Sequence, residues 1–244
     1  MARAQHVDHI LRSWRYRPNG VVARVVKGSD GRDLLQMRLE LGLLQMEVEG
    51  RPDGEQPGEH ATYYDYLLSK AFEEGEDFSL DEINCREIDR EFVQFYHRRI
   101  CWLSLQQYCS AAEDADHTLA LMDFSSQYSP SDEWAASHEQ YRPFVLFQRT
   151  QARALAALED DGPERAMDEI NDGVQRLRAL YEEQLDEPLY EEEELIERLN
   201  ALKDSLREHY DVGPTLTEQL NEAIAREEYE RAAELRDEIE RRTQ

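Results

Sequence analysis

The sequence predicts a mainly α-helical protein with a small N-terminal antiparallel β-meander, built of helical hairpins and closed by one further hairpin at its C-terminal end. Three observations carry this. Apolar residues recur at period two only between residues 21 and 49, and at helical spacing from residue 60 onward. Pro130, Pro143, Pro163 and Pro188 stand where helices would begin, a position at which the missing N–H costs nothing. Charged residues make up 34% against 40% hydrophobic, a balance suited to thin helical layers rather than one thick core.

Residues 1–13 read as a short helix. Val21, Ala23 and Val25 then alternate with Val22, Arg24 and Val26, and Gly28-Ser29-Asp30-Gly31 supplies the positive φ that a hairpin turn needs. Leu35, Met37, Leu39 and Leu41 fall on one face, Gln36, Arg38 and Glu40 on the other. Leu35 to Glu40 is echoed by Leu44 to Glu49, with Gly42 near a second turn, so three strands are expected. Arg51 to Glu59, with Pro52, Gly54, Pro57 and Gly58, reads as a linker. The expected organisation is a β-bearing segment over 1–59, a helical region over 60–210 and a hairpin over 215–244.

Tyr63, Tyr66, Leu67, Lys70 and Ala71 predict a helix over 60–74 that Gly75 closes. Ser79-Leu80-Asp81-Glu82 has capping-box spacing and would open the next helix with Ile83 on its inner side. Further helices are expected at 89–106, 109–124, 130–139, 142–159, 163–182 and 189–210. Arg98 to Leu121 and Arg153 to Leu177 read alike: a helix ends, and Ala111 or Ala166 follows three positions after Tyr108 or Pro163. Small residues there let two helices approach closely. This pattern resembles tetratricopeptide-type helical hairpins. A generic helix pair accounts for it as well, since 55 positions separate Ala111 from Ala166 where that repeat runs about 34. Leu195, Leu199, Leu202 and Leu206 form a narrow apolar seam, expected to pack on the protein's own neighbours.

The formal net charge of -26 is unevenly placed. Residues 1–60 hold equal numbers of acidic and basic groups, so residues 61–244 carry the whole excess. Such a body repels a phosphate backbone, because nucleic-acid affinity rests on cationic contacts. The exception is residues 1–28, where Arg3, Arg12, Arg15, Arg17, Arg24 and Lys27 face Asp8 alone. There Arg12, Trp14, Arg15 and Arg17 are the candidate nucleic-acid contacts, a basic-aromatic cluster that also fits arginines around a core-anchoring tryptophan. No apolar run reaches membrane-spanning length and no signal-peptide h-region opens the chain, so a cytoplasmic protein without membrane contact is expected. Cys85, Cys101 and Cys109 form no Cys-x-x-Cys pair and are read as reduced thiols.

Candidate chemistry is sparse. His97 and Cys101 lie one helical turn apart, but no second pair of ligands accompanies them. His6 and His9 are likewise only two, Asp53-Gly54-Glu55 is better read as a turn, and Glu191 to Glu194 as a solvated helix start. No phosphate-binding loop, nucleophile elbow or His-Glu-x-x-His occurs, so no catalysis, metal or cofactor is expected.

The sharpest pattern is the last. Asp211-Val212-Gly213-Pro214 breaks a helix, and Thr215 with Glu218 can cap the next. Leu216, Leu220, Ala223 and Ile224 make one stripe, residues 226–228 can turn, and Tyr229, Ala232, Ala233, Arg236 and Ile239 make the facing stripe. Small Ala232 and Ala233 suit close helix approach, and Arg236 and Asp237 can add charge-assisted contacts at the edge of an apolar patch. So few apolar side chains do not stabilise a free-standing hairpin. It should pack on its own chain, on a second copy or on a partner.

The run Tyr229-Glu230-x-Ala232-Ala233-x-Leu235-Arg236-Asp237-x-Ile239 closely resembles the UVR motif of the UvrB and UvrC proteins of nucleotide excision repair. That motif occurs also in Clp-type ATPases and McsA-like kinase activators. The resemblance implies protein docking through Leu216, Leu220, Ile224, Tyr229, Ala232, Ala233, Arg236, Asp237 and Ile239. The partner would be a UvrB/UvrC-like protein, a Clp ATPase, a kinase or a second copy. The chain lacks the helicase and nuclease regions and the paired-cysteine zinc sites of those families. An adaptor is therefore expected, with a repair accessory protein contacting DNA through the basic N-terminus as the alternative.

Overall fold

The computed structural model describes residues 6–183 and 190–243. Arg3, Pro188 and the expected helix start at residue 189 lie outside the described residues. Two units divide the chain, residues 1–145 and 146–244. The first holds a sheet and helices α1 (Asp8–Ser13), α2 (Tyr63–Glu74), α3 (Glu82–Ser104), α4 (Tyr108–Tyr128) and α5 (Asp132–Glu139). Helix α6 (Arg142–Asp160) contains the division. The second unit continues with α7 (Pro163–Glu183), α8 (Tyr190–Tyr210), α9 (Leu216–Ala225) and α10 (Tyr229–Thr243).

The sheet is the expected antiparallel meander of β1 (Ala23–Lys27), β2 (Asp33–Arg38) and β3 (Leu43–Glu47), in that order. Val25 pairs with Leu35 and Leu35 with Met46. Gly31, at φ 87°, takes the left-handed position of the first turn, where a side chain would be strained. The second turn closes from Leu39 N–H to the Gly42 carbonyl, 2.9 Å.

The expected polar face of β2 is not the wet one. Gln36 and Arg38 are buried, whereas Leu41 is 91% exposed because it sits in the turn beyond the strand. Gln36 accepts from Arg24 and donates to Gln45 across the strands. Arg38 donates to the carbonyls of Trp14 (2.8 Å), Gly42 (2.7 Å) and Leu39. Each buried donor has found an oxygen, which lets a guanidinium sit inside without a carboxylate.

Helix α2 begins as its sequence asks, with Thr62 capping the Asp65 N–H. Helix α3 differs from expectation. Its cap is Asp81, accepting from Asn84 N–H at 2.7 Å, and it runs unbroken from Glu82 through the expected second start at residue 89. Starting two residues after Ser79 turns Ile83 outward, 61% exposed, and sends Cys85 and Ile88 inward. The core of this unit joins Tyr63, Leu67, Phe78, Ile88, Leu121 and Phe124. Ala111 and Ala115 are fully buried on α4, which packs along α3.

Charges also enter this core. Arg98 pairs with Asp114 at 2.7 Å, both side chains 5% exposed, and donates to the carbonyls of Glu47 (3.2 Å) at the end of β3 and Gly50 (2.8 Å) just past it. Arg51, 1% exposed, contacts Glu87 at 2.7 Å. Fully buried Glu91 accepts from the first N–H groups of α2, Tyr63 (2.7 Å) and Tyr64 (3.1 Å), and bonds His117 Nε2 at 2.9 Å. A carboxylate at a helix N-terminus satisfies donors that have no partner inside the helix.

In the second unit α6 and α7 approach until backbone meets side chain. Ala152, Ala154 and Ala166 are fully buried, and a Cβ built on Gly173 would lie 2.1 Å from Thr150 Cγ2. On α8 the seam faces inward as expected, with Leu199 and Leu206 buried and Leu195 and Leu202 half-buried. Arg198 covers the Phe147 ring at 4.5 Å. No helix among the described residues is long and apolar enough to cross a membrane.

Candidate functional site

The C-terminal hairpin is built by its sequence almost without outside help. Thr215 caps α9 in a full capping box: its hydroxyl accepts from Glu218 N–H, and Glu218 accepts from Thr215 N–H at 3.0 Å. Helix α9 ends in a Schellman turn, Glu228 N–H to Ala223 carbonyl at 2.8 Å and Glu227 N–H to Ile224 carbonyl at 3.0 Å. The left-handed position there, usually glycine, is taken by Glu227 at φ 60°. The turn returns the chain as α10, and the two helices close on Ala223, Ala232 and Leu235, with Leu216 and Leu220 packed against them.

This core sorts the expected docking residues into two groups. Ala232 is buried, and Leu216, Leu220 and Ile239 are half-buried. Ile224 is 52% exposed and Tyr229 69% exposed, and Ala233, Arg236 and Asp237 are exposed too. Tyr229, Ala233 and Arg236, spaced four and three apart, lie on one side of α10. Leu235, 1% exposed, is the centre of the hairpin's own core.

A polar cluster that sequence reasoning missed ties this hairpin to the preceding helices. Glu218 accepts from Lys203 Nζ (3.3 Å) and Arg207 on α8, and from Asn171 on α7 (3.4 Å). Thr215 Oγ1 donates to Asp168 on α7 at 2.8 Å. The partners stand 47, 15 and 11 positions from Glu218 or Thr215, so no local pattern announces them. Burial works to raise the Glu218 carboxyl, but the Arg207 bond, the Thr215 N–H and the nearby cations outweigh it and hold it below its usual range. Burial raises Asp168, only partly offset by the hydroxyls of Thr215 and Thr217.

A depressed carboxyl stabilises the folded form above its ordinary value of 4.5, and that contribution is lost as pH falls through the folded value. The α9 amides are therefore expected to lose exchange protection, relative to their intrinsic rates at each pH, selectively in acid. Glu218→Gln at neutral pH should imitate it, weakening cap and tie by about 1 kcal/mol. Exchange in α9 that is unchanged in that variant would show the cluster to be ornamental.

At the other end, Arg12, Arg15 and Arg17 are exposed and Trp14 is half-buried. Arg24 lies over the Trp14 ring at 4.1 Å, and the Trp14 carbonyl holds Arg38. Part of that tryptophan is therefore committed to the protein itself. His97 and Cys101 do not form a shared site: Nδ1 of His97 bonds the Val93 carbonyl at 2.8 Å, and burial pushes the Cys101 thiol up to about 12.

The family model of the UvrB/uvrC motif, UVR, matches residues 214–241. No curated protein and no solved structure matches the chain. The matched residues begin at Pro214 and span the capping box, the Schellman turn and both helices, so the C-terminal hairpin is a UVR motif.

Proposed function

We propose that the UVR hairpin makes this protein a non-catalytic adaptor that docks another protein through Ile224, Tyr229, Ala233, Arg236 and Asp237. The observation that carries the reading is the division of labour within the hairpin. Five apolar side chains close its own core, and yet its one aromatic, Tyr229, is left 69% exposed and Ile224 52% exposed. A rigid aromatic flanked by an arginine is the composition of interface hot spots, which draw their energy from a few buried anchors. The partner classes are those in which the resembled motif works: excision-repair proteins, Clp-type ATPases and protein-arginine kinase complexes, with a second copy of this chain as the self-docking case.

The test uses variants that spare the hairpin's core. Ala232→Glu would unfold the hairpin, whereas Tyr229→Ala with Ala233→Glu alters only exposed positions. Full-length protein and this double variant are used as bait against source-cell lysate, with sedimentation run in parallel. Loss of a retained protein, by tenfold or more if Tyr229 is worth about 2 kcal/mol, supports docking. A dimer lost in the variant identifies a second copy as the partner. Equal retention and equal mass in both proteins would remove the reading.

A further inference from the structure

The first unit holds a cavity of about 570 Å3 between the segment after α1, the start of β1 and the end of α3. Its apolar lining includes Val21, Val22 and Leu105, and its polar lining includes Arg15, Arg17 and Asn19. Trp14 completes it. The volume falls in the range of small-ligand sites, about 300–1000 Å3.

In a chain with 54 acidic residues and 28 basic ones, arginines such as Arg98, Arg142 and Arg207 find carboxylates, whereas the two at this cavity do not. Among the described residues, Arg15 and Arg17 make no side-chain hydrogen bond or ion pair, and neither does neighbouring Arg12. Two exposed guanidinium groups at one pocket leave their N–H forks available to the oxygens of an anion.

Trp14 is fixed rather than loose. Arg24 backs its ring and is itself held by Gln36 at 2.8 Å, while Arg38 holds the Trp14 carbonyl. A minor part of the residue's surface remains open, and it lines the cavity. Guanidinium forks match the oxygens of a phosphate, and a fixed indole offers a face or edge to a flat ring. The apolar lining favours a ligand with a hydrophobic body over a bare ion.

We propose that this cavity binds a phosphorylated nucleoside, its phosphate at Arg15 and Arg17 and its base against Trp14. The same chemistry is presented by a free nucleotide and by the end of a single strand. The acidic excess over residues 61–244 disfavours a long polyanion, so the free nucleotide is the favoured source.

The experiment titrates the full chain at low salt by calorimetry with adenosine monophosphate, an eight-nucleotide oligothymidylate and inorganic phosphate. Saturable nucleotide binding is expected, with inorganic phosphate weaker by about tenfold or more, the worth of one stacked base. Arg15→Gln with Arg17→Gln should weaken nucleotide binding by at least about tenfold while leaving the circular dichroism unchanged. Trp14→Leu is a second variant, expected to abolish the preference for nucleotide over phosphate. Oligothymidylate binding no tighter than the mononucleotide points to the free ligand, and much tighter binding to a strand end; both support the site. Absence of saturable binding by either, binding that survives the paired arginine substitution, or phosphate binding equal to nucleotide would overturn it.

Discussion

Arg98→Met is expected to destabilise the first unit by about 3–5 kcal/mol, the usual result of removing one partner from a buried ion pair. The arithmetic is one of stranded groups. Asp114 would keep its carboxylate in a place that is 5% exposed, and the carbonyls of Glu47 and Gly50 would lose their donor. Burial already pushes the Asp114 carboxyl up, with Arg98 the main force opposing it. Without Arg98 it should rise further and take up a proton in the folded state. A raised folded value means that the native form binds the extra proton, so stability falls as pH rises through the titration. The deficit should therefore be smaller near pH 5 than near pH 7. Urea unfolding followed by tryptophan fluorescence reads this unit alone, because Trp14, Trp102 and Trp134 all lie within it. Adding Asp114→Leu should recover a large part of the loss, since an apolar pair leaves no charge uncompensated. A loss below about 1 kcal/mol in the single variant would show that water reaches the pair.

Gly173→Ala is the second large effect, and its sign is what makes it informative. In the middle of an open helix this change should stabilise by about 1 kcal/mol, because alanine is the better helix former. Here the new Cβ would meet Thr150 Cγ2 at 2.1 Å, Oγ1 at 2.2 Å and Cβ at 2.6 Å. Thr150 is β-branched and buried, so it has little room to rotate away. Helices α6 and α7 must separate, and overpacking of this kind costs about 1–3 kcal/mol, here toward the upper end. Thermal unfolding by far-ultraviolet circular dichroism measures it. Thr150→Gly in the same chain removes the obstructing atoms and should restore much of the stability. A variant as stable as the parent would mean that α6 and α7 do not touch at this point.

Much of this architecture is written in short-range patterns. Alternation from Val21 to Glu49 gave three strands, the glycines at 28, 31 and 42 gave the turns, and helical spacing gave the rest. Three helices stop without glycine, with Gln106, Asp211 and Glu227 in the left-handed position at φ 59°, 52° and 60°, and the end of the apolar periodicity still marked those stops. What stayed hidden is chiefly the charged residues inside. Arg51, Glu91, Arg98 and Asp114 look like surface positions to any hydropathy pattern, and only partners tens of positions away make their burial tolerable. The hairpin was legible because its capping box, turn and core lie within one short run. Its tie to α7 and α8 was not, because Asp168, Lys203 and Arg207 belong to helices read separately.

The manner in which that hairpin is fastened makes it portable. It closes over its own apolar residues and meets the preceding helices through a single capped end, where Glu218 gathers a lysine and an arginine one turn apart on α8. A host needs two such cations on one helix, groups in the places of Asp168 and Asn171 on another, and a chain break like Gly213-Pro214 to accept it. Grafted behind such a helix pair, the segment should keep its cap and its turn. It would then behave as a transferable plug, with the choice of socket left to whichever surface Tyr229 and Ile224 fit.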